Sequence, residues 1–259
     1  MKTMKFCLAV CLLALTGTAS AQFANSNASS VSSTTRNTDT NGWSRISVSY
    51  NPIKIVSDYE NADDQNATGF SIGYTKGFSI AKEFPLFVEV GINGLYAFNS
   101  IDAEDDNNLK SLKKQGFDVE RKTTLFSLNI PVNLAYKFTI NNSALSIVPY
   151  LGINLKGNIT GKAKLKLTSD LENSVYDSEK EFWEAFEENG YGKEDTNMFD
   201  KKDTGGKDYT WKRFQMGWQI GVGLNYNQLY VGIGYGKDLT ELCKKTKIGT
   251  TSITLGYNF

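Results

Sequence analysis

The chain of 259 residues contains no histidine. Without an imidazole, serine–histidine hydrolysis, histidine-ligated metal sites and imidazole acid–base catalysis are all excluded. A carboxylate or lysine catalyst stays open, but no recognisable catalytic constellation points to one. The sequence therefore predicts a protein that is not an enzyme and that carries no cofactor and no metal.

The chain also has no excess of positive or negative charge and only a few cysteines. The 28 Lys and Arg residues balance the 28 Asp and Glu residues, so there is no net positive field to attract nucleic acid, and a nucleic-acid partner is excluded. Two of the three cysteines, Cys7 and Cys11, lie in the N-terminal segment that is interpreted below as a signal peptide. Cys243 is then the single cysteine of the mature chain, which excludes an internal disulfide.

The N-terminus has the pattern of a secretory signal peptide. Lys2 and Lys5 precede the apolar stretch Phe6–Leu15, and the small residues Ala19–Ala21 follow, which predicts cleavage between Ala21 and Gln22. The apolar stretch is too short for a membrane-spanning helix, which needs about 20 residues. Residues 1–21 are thus predicted to be a signal peptide, 22–41 a flexible periplasmic leader rich in Asn, Ser and Thr, and 42–259 the folded domain.

From Trp43 onward, eight segments alternate between apolar residues and small or polar ones, as strands with two unlike faces do. The clearest apolar row is in the third segment: Leu86, Val88, Val90, Ile92, Tyr96 and Phe98. A soluble sandwich shows the same period, so other features must distinguish the two folds. The connections alternate in length, and one strand face is rich in Gly, Ser, Asn and Gln, which suits the narrow lumen of a small barrel.

Aromatic residues on the apolar face fall into two groups when the strands are folded up and down. Belts of this kind are expected where amphipathic rings meet lipid headgroups. The predicted outer belt contains Tyr50, Phe70, Tyr96, Phe126, Phe214 and Tyr235, and the predicted periplasmic belt contains Tyr136, Phe138, Tyr226, Tyr257 and Phe259. The predicted fold is all-β: an eight-stranded antiparallel up-and-down transmembrane β-barrel with short periplasmic turns and long extracellular loops.

The predicted lumen contains few charges. A lone carboxylate at Glu89 is costly to desolvate, so it should pair with a cation. Arg45, Lys137 and Lys156 share its inward phase, and Arg45 or Lys137 is the expected partner. This lumen charge network is interpreted as a structural salt bridge, with an ion gate as the alternative. Glycine at every second position of the seventh strand indicates a crowded lumen face.

The long connection 157–210 has its own pattern. Ala163, Leu165 and Leu167 are expected to continue the outward phase of the fifth strand, with three lysines on the opposite face. The fifth strand is therefore expected to project beyond the membrane, and this raised part is interpreted either as an exposed edge that binds a partner or as a solvated hairpin. Ser178 and Glu181 form a capping box before an aromatic helical face of Phe182, Trp183 and Phe186, which predicts a helix that binds a partner or packs onto the barrel rim.

Several stretches resemble the small outer-membrane β-barrel domain family, the "porin family" related in architecture to OmpA and OmpX. Leu128–Phe138 is similar to its Ile-Pro-x-x-x-x-Tyr strand, Pro149–Gly152 to its Pro-Tyr-x-Gly pattern, and Gly234–Thr240 to its seventh strand. The ending Tyr257–Phe259 resembles the terminal signal that the barrel-assembly machinery reads. The resemblance covers roughly residues 42–259 and implies a place in the outer membrane of a Gram-negative bacterium.

The expected function is that of a monomeric, non-enzymatic envelope barrel whose loops face outside, for adhesion or for binding an unidentified surface protein or glycan. Its other expected partners are outer-membrane lipid, lipopolysaccharide and, through Phe259, the barrel-assembly machinery. One alternative is a narrow channel for small solutes. A second alternative is a soluble periplasmic β-protein.

Overall fold

The computed structural model describes residues 40–59, 64–81, 83–102, 110, 113, 114, 116–140, 144–167, 176–189 and 193–259. The predicted signal peptide, the cleavage position and all but the last two residues of the predicted leader lie outside this set. The elements, in chain order, are β1 (Trp43–Ser57), β2 (Gln65–Ser79), β3 (Leu86–Ile101), β4 (Val119–Tyr136), β5 (Phe138–Thr139), β6 (Leu145–Leu167), α1 (Glu179–Glu188), β7 (Asp195–Asn197), β8 (Phe214–Tyr226), β9 (Leu229–Asp238) and β10 (Thr246–Asn258).

Eight of these strands form a closed antiparallel ring. The order around it is β1, β2, β3, β4, β6, β8, β9 and β10, and β10 pairs again with β1. The short strands β5 and β7 are attached to β6. At the seam, the Ser44 and Phe259 backbones exchange two hydrogen bonds of 3.2 and 2.8 Å. Closure leaves no unpaired strand edge in the ring, as a lipid environment requires. The predicted eight-stranded barrel is confirmed.

The connections define two ends of the barrel. At the turn end, Asn227 and Gln228 alone join β8 to β9, and Asn227 has a φ of 53°, as tight hairpin turns need. The two longest connections, 102–118 and 168–213, both lie at the opposite end, called the loop end here. Because consecutive strands run up and down, the loops 58–64 and 239–245 also lie at the loop end.

The outer face of the barrel is apolar. Ile72 and Ile220 are 63% and 52% exposed, and the exposed apolar side chains alternate along the strands with buried inward ones. The alternative of a water-soluble β-protein requires these apolar residues to fill the interior. The structure places them on the outside instead. Within the described ranges, no helix has the length and apolar character needed to cross a bilayer.

The prediction that Ala163, Leu165 and Leu167 face outward, in the raised part of β6, is wrong. Ser127 pairs with Asn158 but Phe126 pairs with Thr160, so Ile159 is an extra residue that has no partner on β4. Such a β-bulge exchanges the two faces of the strand beyond it. The lysines of this segment therefore face outward, whereas its apolar residues turn to the other side: Lys162, Lys164 and Lys166 against Ala163, Leu165 and Leu167.

Helix α1 begins at the predicted capping box. Ser178 Oγ accepts a hydrogen bond of 3.2 Å from the Glu181 N–H, which satisfies a free donor of the first turn. Its aromatic face is buried in a cluster made by strand and helix residues: Val119, Leu167, Phe182, Trp183 and Phe186. The helix therefore packs on the raised strands β4 and β6, and its aromatic face is not available to a partner.

Candidate functional site in the barrel lumen

A buried charge pair lies inside the barrel near the turn end. β1 and β3 point Arg45 and Glu89 into the lumen, where Arg45 Nη2 is 2.7 Å from Glu89 Oε1. Trp43 Nε1 and Asn133 Nδ2 donate two further hydrogen bonds to the same carboxylate, at 3.2 and 3.3 Å. Glu89 is only 2% exposed. A carboxylate this deeply buried requires a cation and additional hydrogen-bond donors. Arg45 supplies the cation, and Trp43 and Asn133 supply the additional donors.

The same arginine also contacts an aromatic ring. The guanidinium carbon of Arg45 lies 3.7 Å from the centroid of the Tyr230 ring. Tyr230 in turn lies against Gly223 and Gly232, where a Cβ atom would stand 2.2 and 2.5 Å from atoms of the tyrosine. The glycines of β8 and β9 thus make room for a large side chain in a narrow lumen, which is the crowding expected from the sequence.

Lys156 belongs to a second network, nearer the loop end. Its Nζ is 2.9 and 3.1 Å from the two carboxylate oxygens of Asp238, and both side chains are less than a tenth exposed. Gln215 Nε2 donates to Asp238 at 2.9 Å, and Asn158 Nδ2 donates to Gln215 at 3.0 Å. Sequence reasoning missed Asp238, although it continues the inward phase of the β9 glycines and could have been found from that alternation.

Lys137, the other expected partner of Glu89, lies against the Trp43 ring. Its ammonium lies 5.7 Å from the centroid of the Trp43 ring, beside the Arg45–Glu89 pair. Of the two expected partners of Glu89, the structure brings Arg45 into the salt bridge and leaves Lys137 next to the tryptophan that bonds the same carboxylate. Lys156 is separate from this group, because it pairs with Asp238.

Apolar residues occupy both ends of the lumen. The turn-end cap contains Trp43, Phe87, Ala135 and Val148, with Tyr150 packed against it. The loop-end cap contains Ile53, Leu95, Ala97, Leu125, Leu242 and Ile248, with Phe199 and Trp211 packed against it. Small and polar residues therefore line the middle of the lumen, and larger apolar residues close its two ends. Strand residues supply most of each cap, and the loops supply Leu242, Phe199 and Trp211 at the loop end.

The predicted aromatic belts lie on the outer face. Tyr50, Phe70, Tyr96 and Phe126 form one row, because each pairs directly with the next across neighbouring strands. Phe126 and Tyr136 are half-buried, and the other members of both predicted belts are exposed: Tyr50, Phe70, Tyr96, Phe138, Phe214, Tyr226, Tyr235, Tyr257 and Phe259.

Ligand-binding chemistry is sparse in the described part of the chain. No group of three Cys, Asp or Glu side chains there is arranged to hold a metal ion. The central lumen is lined instead by hydroxyl and amide groups, such as those of Ser47, Ser71, Asn93 and Asn129. These groups can hold water or a small polar solute.

A closed antiparallel barrel with an apolar outer face and a polar middle lumen defines an integral outer-membrane protein. Residues 23–240 match the family model described as outer membrane protein beta-barrel domain. This match covers most of the chain, which therefore belongs to that family and is located in the outer membrane. Its outward face is in contact with outer-membrane lipid.

The chain is also similar to several solved structures. Ail, the attachment invasion locus protein of Yersinia pestis, solved with the heparin analogue sucrose octasulfate, has 15% identity over 84% of this chain and 99% of that chain, with a TM-score of 0.41. Neisserial surface protein A has 15% identity over 83% and 97%, with a TM-score of 0.40. The outer membrane enzyme PagL has 11% identity over 82% and 98%, with a TM-score of 0.41. No curated protein sequence matches the chain.

Proposed function

We propose that this outer-membrane barrel is a closed, non-enzymatic protein that presents its loop end at the cell surface for adhesion or ligand binding. The observation that carries the proposal is the loop-end cap, in which Leu242 is only 2% exposed and lines the same cavity as Lys156. The ligand is a surface protein or a glycan, and the barrel holds the loops in place.

The two caps argue against conduction. A permeating ion or sugar needs a continuous polar path, and an apolar constriction excludes water from such a path. Leu242 and Trp211 are part of this constriction at the loop end, and Phe87 at the turn end is fully buried. The lumen charges are also neutralised within the barrel, because Glu89 and Asp238 each have a cation within 3 Å.

The loop end has an ordered surface. α1 is fixed by its aromatic face, and β7 pairs with β6. Lys193 Nζ is 3.1 Å from Asp203 Oδ1, which links the segment after α1 to the turn that follows β7. A surface that is already ordered loses less conformational entropy when a partner binds, and this supports a role in recognition.

The proposed orientation places the loop end outside and the turn end in the periplasm, with the protein as a monomer. Long loops outside and tight periplasmic turns are usual for bacterial barrels. The Phe259 ring, 60% exposed on the outer face at the turn end, is the proposed contact for the barrel-assembly machinery, and lipopolysaccharide is the proposed lipid neighbour at the loop end.

Liposome swelling with small sugars tests the closed lumen. We expect no swelling above that of protein-free liposomes. The polar middle lumen is the observation that favours the alternative of a narrow channel, and sugar uptake by the wild-type protein would establish that alternative and reject the proposal.

Epitope accessibility tests the orientation. A short epitope inserted between Lys201 and Lys202, in the exposed turn after β7, should be bound by antibody on intact cells. The matched control carries the epitope between Asn227 and Gln228 at the turn end, where antibody should bind only after the cells are broken. The opposite pattern of accessibility contradicts the proposed orientation.

A further inference from the structure

A polar cavity occupies the middle of the lumen, between the two charge networks. Arg45 and Glu89 line it near the turn end, and Lys156 and Asp238 line it nearer the loop end. Its volume is about 140 Å³. Beyond the two networks stand the turn-end cap and the loop-end cap, which close the lumen along the barrel axis. This cavity is called the central chamber.

The wall of the central chamber has free space beside it. Ser47, Ser71 and Ser252 point inward by the alternation of their strands, and all three line the chamber. Each of them is nevertheless partly exposed. An inward side chain can be exposed only to an open volume inside the barrel, so these hydroxyl groups border space that the protein does not fill.

Three buried polar atoms of the central chamber lack a hydrogen-bond partner among the described residues. They are Arg45 Nη1, Asn129 Oδ1 and Asn154 Oδ1. Arg45 is only 5% exposed and Asn129 only 8%. A buried polar group without a partner destabilises the folded state, so such groups are normally satisfied by water or by a ligand. The chamber therefore offers one free donor and two free acceptors.

The volume and the free polar atoms together define a class of ligand. An apolar protein cavity of about 150 Å³ binds one benzene molecule, so the central chamber has room for a molecule of about that size. Such a molecule must accept a hydrogen bond from Arg45 and donate to Asn129 and Asn154. A hydroxyl group both donates and accepts, so a small molecule with several hydroxyl groups meets these requirements.

The charges of the central chamber favour a neutral ligand. Glu89 and Asp238 each have a cation within hydrogen-bonding distance, at 2.7 and 2.9 Å. Lys237 also borders the cavity, but it has the outward phase of β9. An ion would add an unpaired charge to a lumen whose buried charges are already paired, and the loss of its hydration would be costly.

We propose that the central chamber is a binding site for a small neutral polyol of the size of glycerol. Arg45 Nη1 donates a hydrogen bond to one hydroxyl oxygen, and the Asn129 and Asn154 amide oxygens accept hydrogen bonds from other hydroxyl groups. Because both caps close the lumen, the polyol is taken up while the barrel folds and is released slowly. The proposal rests on the closed lumen given under Proposed function, and it does not involve the loop-end surface.

Retention of radiolabelled glycerol by the full mature chain tests this site. The protein is refolded in detergent micelles with the label, separated from free glycerol by gel filtration and counted. We expect the wild type to retain about one glycerol molecule per chain, because the chamber has room for one molecule of that size. Radiolabelled lactate, an anion of similar size, should not be retained.

Three variants keep the test specific. Asn129→Leu replaces a free acceptor by methyl groups of similar volume and should lower glycerol retention by about tenfold. Ser47→Leu fills part of the chamber, leaves the three free polar atoms in place and should also lower retention. Asn225→Leu is the matched control, because Asn225 is a buried inward asparagine outside the chamber, and it should retain glycerol as the wild type does. Heat-modifiable migration on a denaturing gel verifies that each variant is folded before it is scored.

Several outcomes would overturn the proposal. Equal retention of lactate and glycerol would reject a neutral ligand, and equal retention by Asn129→Leu and the wild type would place the glycerol elsewhere. A wild type that retains no glycerol and does not swell liposomes has a closed lumen that holds water only, which rejects this proposal alone. A wild type that retains no glycerol and does swell liposomes rejects the closed lumen as well, so the two failures are distinguishable.

Discussion

Tyr230 occupies the space above Gly223, so that a Cβ atom on Gly223 would lie 2.2 Å from Tyr230 Cε2. The same tyrosine contacts the Arg45 guanidinium, and Arg45 holds Glu89. Gly223 on β8 is therefore coupled, through the Tyr230 ring, to the buried charge pair on β1 and β3. The stability of the barrel near the turn end should depend on this chain of contacts.

We expect Gly223→Ala to destabilise the barrel by about 1–3 kcal/mol, because the new methyl group forces Tyr230 out of a packed position. Urea unfolding in lipid vesicles, followed by tryptophan fluorescence, measures the change. In a Tyr230→Ser background the same substitution should cost much less, which a double-mutant cycle reports as coupling. Gly157→Ala is the control, since its Cβ would meet no atom closer than 3.9 Å. Equal costs at the two glycines would contradict the packing.

Glu89→Ala should cost about 3–5 kcal/mol, because it leaves the Arg45 guanidinium buried without its carboxylate. The same unfolding assay measures it. Asp64→Asn removes an exposed partner of Lys54 and should change stability little or not at all. Conductance in planar bilayers should be the same for Glu89→Ala as for the wild type, and a new or altered conductance would revive the ion-gate interpretation.

The segment around Lys193 should be most ordered near neutral pH. The hydrogen bond from Lys193, followed by the one from the Asn197 N–H, holds the pKa of Asp203 below its ordinary value. The stability that these bonds give to the segment is fully present above the pKa that the carboxyl has in the unfolded chain. It is lost as the pH falls through the lower pKa of the folded state. The hydrogen bond to Asp203 raises the pKa of Lys193, so that contribution is lost only as the pH rises through the higher folded pKa.

NMR titration of the Asp203 carboxyl carbon and the Lys193 ammonium measures both shifts. Asp203→Asn should return the pKa of Lys193 toward its ordinary value, and the exposed Glu184→Gln is the control that should leave it unchanged. An Asp203 carboxyl that titrates at its ordinary pKa shows that the contact does not persist in solution.

Phe182→Ala should detach helix α1 while the barrel stays folded. Phe182 is 3% exposed in the cluster beneath the helix, and its truncation should cost the local structure about 3–5 kcal/mol. Limited proteolysis should then cut between β6 and β8 much faster than in the wild type. Glu188→Ala, on the exposed face of the same helix, should resist cleavage as the wild type does. A slow cut in Phe182→Ala would mean that the aromatic cluster does not hold the loop.

Phe259→Ser tests the proposed contact with the assembly machinery. Phe259 contacts only Tyr74 among the aromatic rings of the described residues, at 6.5 Å, so its loss should change the stability of the refolded barrel little. The amount of folded protein in the outer membrane of cells should fall several-fold. Leu255→Ser, two outward positions earlier on β10, controls for loss of an exposed apolar side chain. An unchanged cellular amount excludes a role of Phe259 in assembly.

The sequence determined the face of almost every strand residue. The alternation from Trp43 to Phe259 predicted eight strands and an apolar outer face, because the side chains of an extended strand point to opposite sides in turn. It also placed Arg45, Glu89 and Lys156 inside. This local rule fails at Ile159, where one bulged residue exchanges the two faces of the raised strand, and nothing in the residues themselves marks that position.

Only the tertiary structure decided which inward residues meet. Period two gives the face of a residue but not its height in the barrel, and height depends on how each strand is shifted against the next. Lys156 and Asp238 are 82 positions apart in sequence and are brought together by that shift. The caps depend on it as well, because Leu242 and Trp211 reach the lumen only when their loops fold back over the closed ring. Alternation, together with the lengths of the connections, the aromatic belts and the small polar face, thus predicted a membrane barrel, and the register and the loops closed its ends.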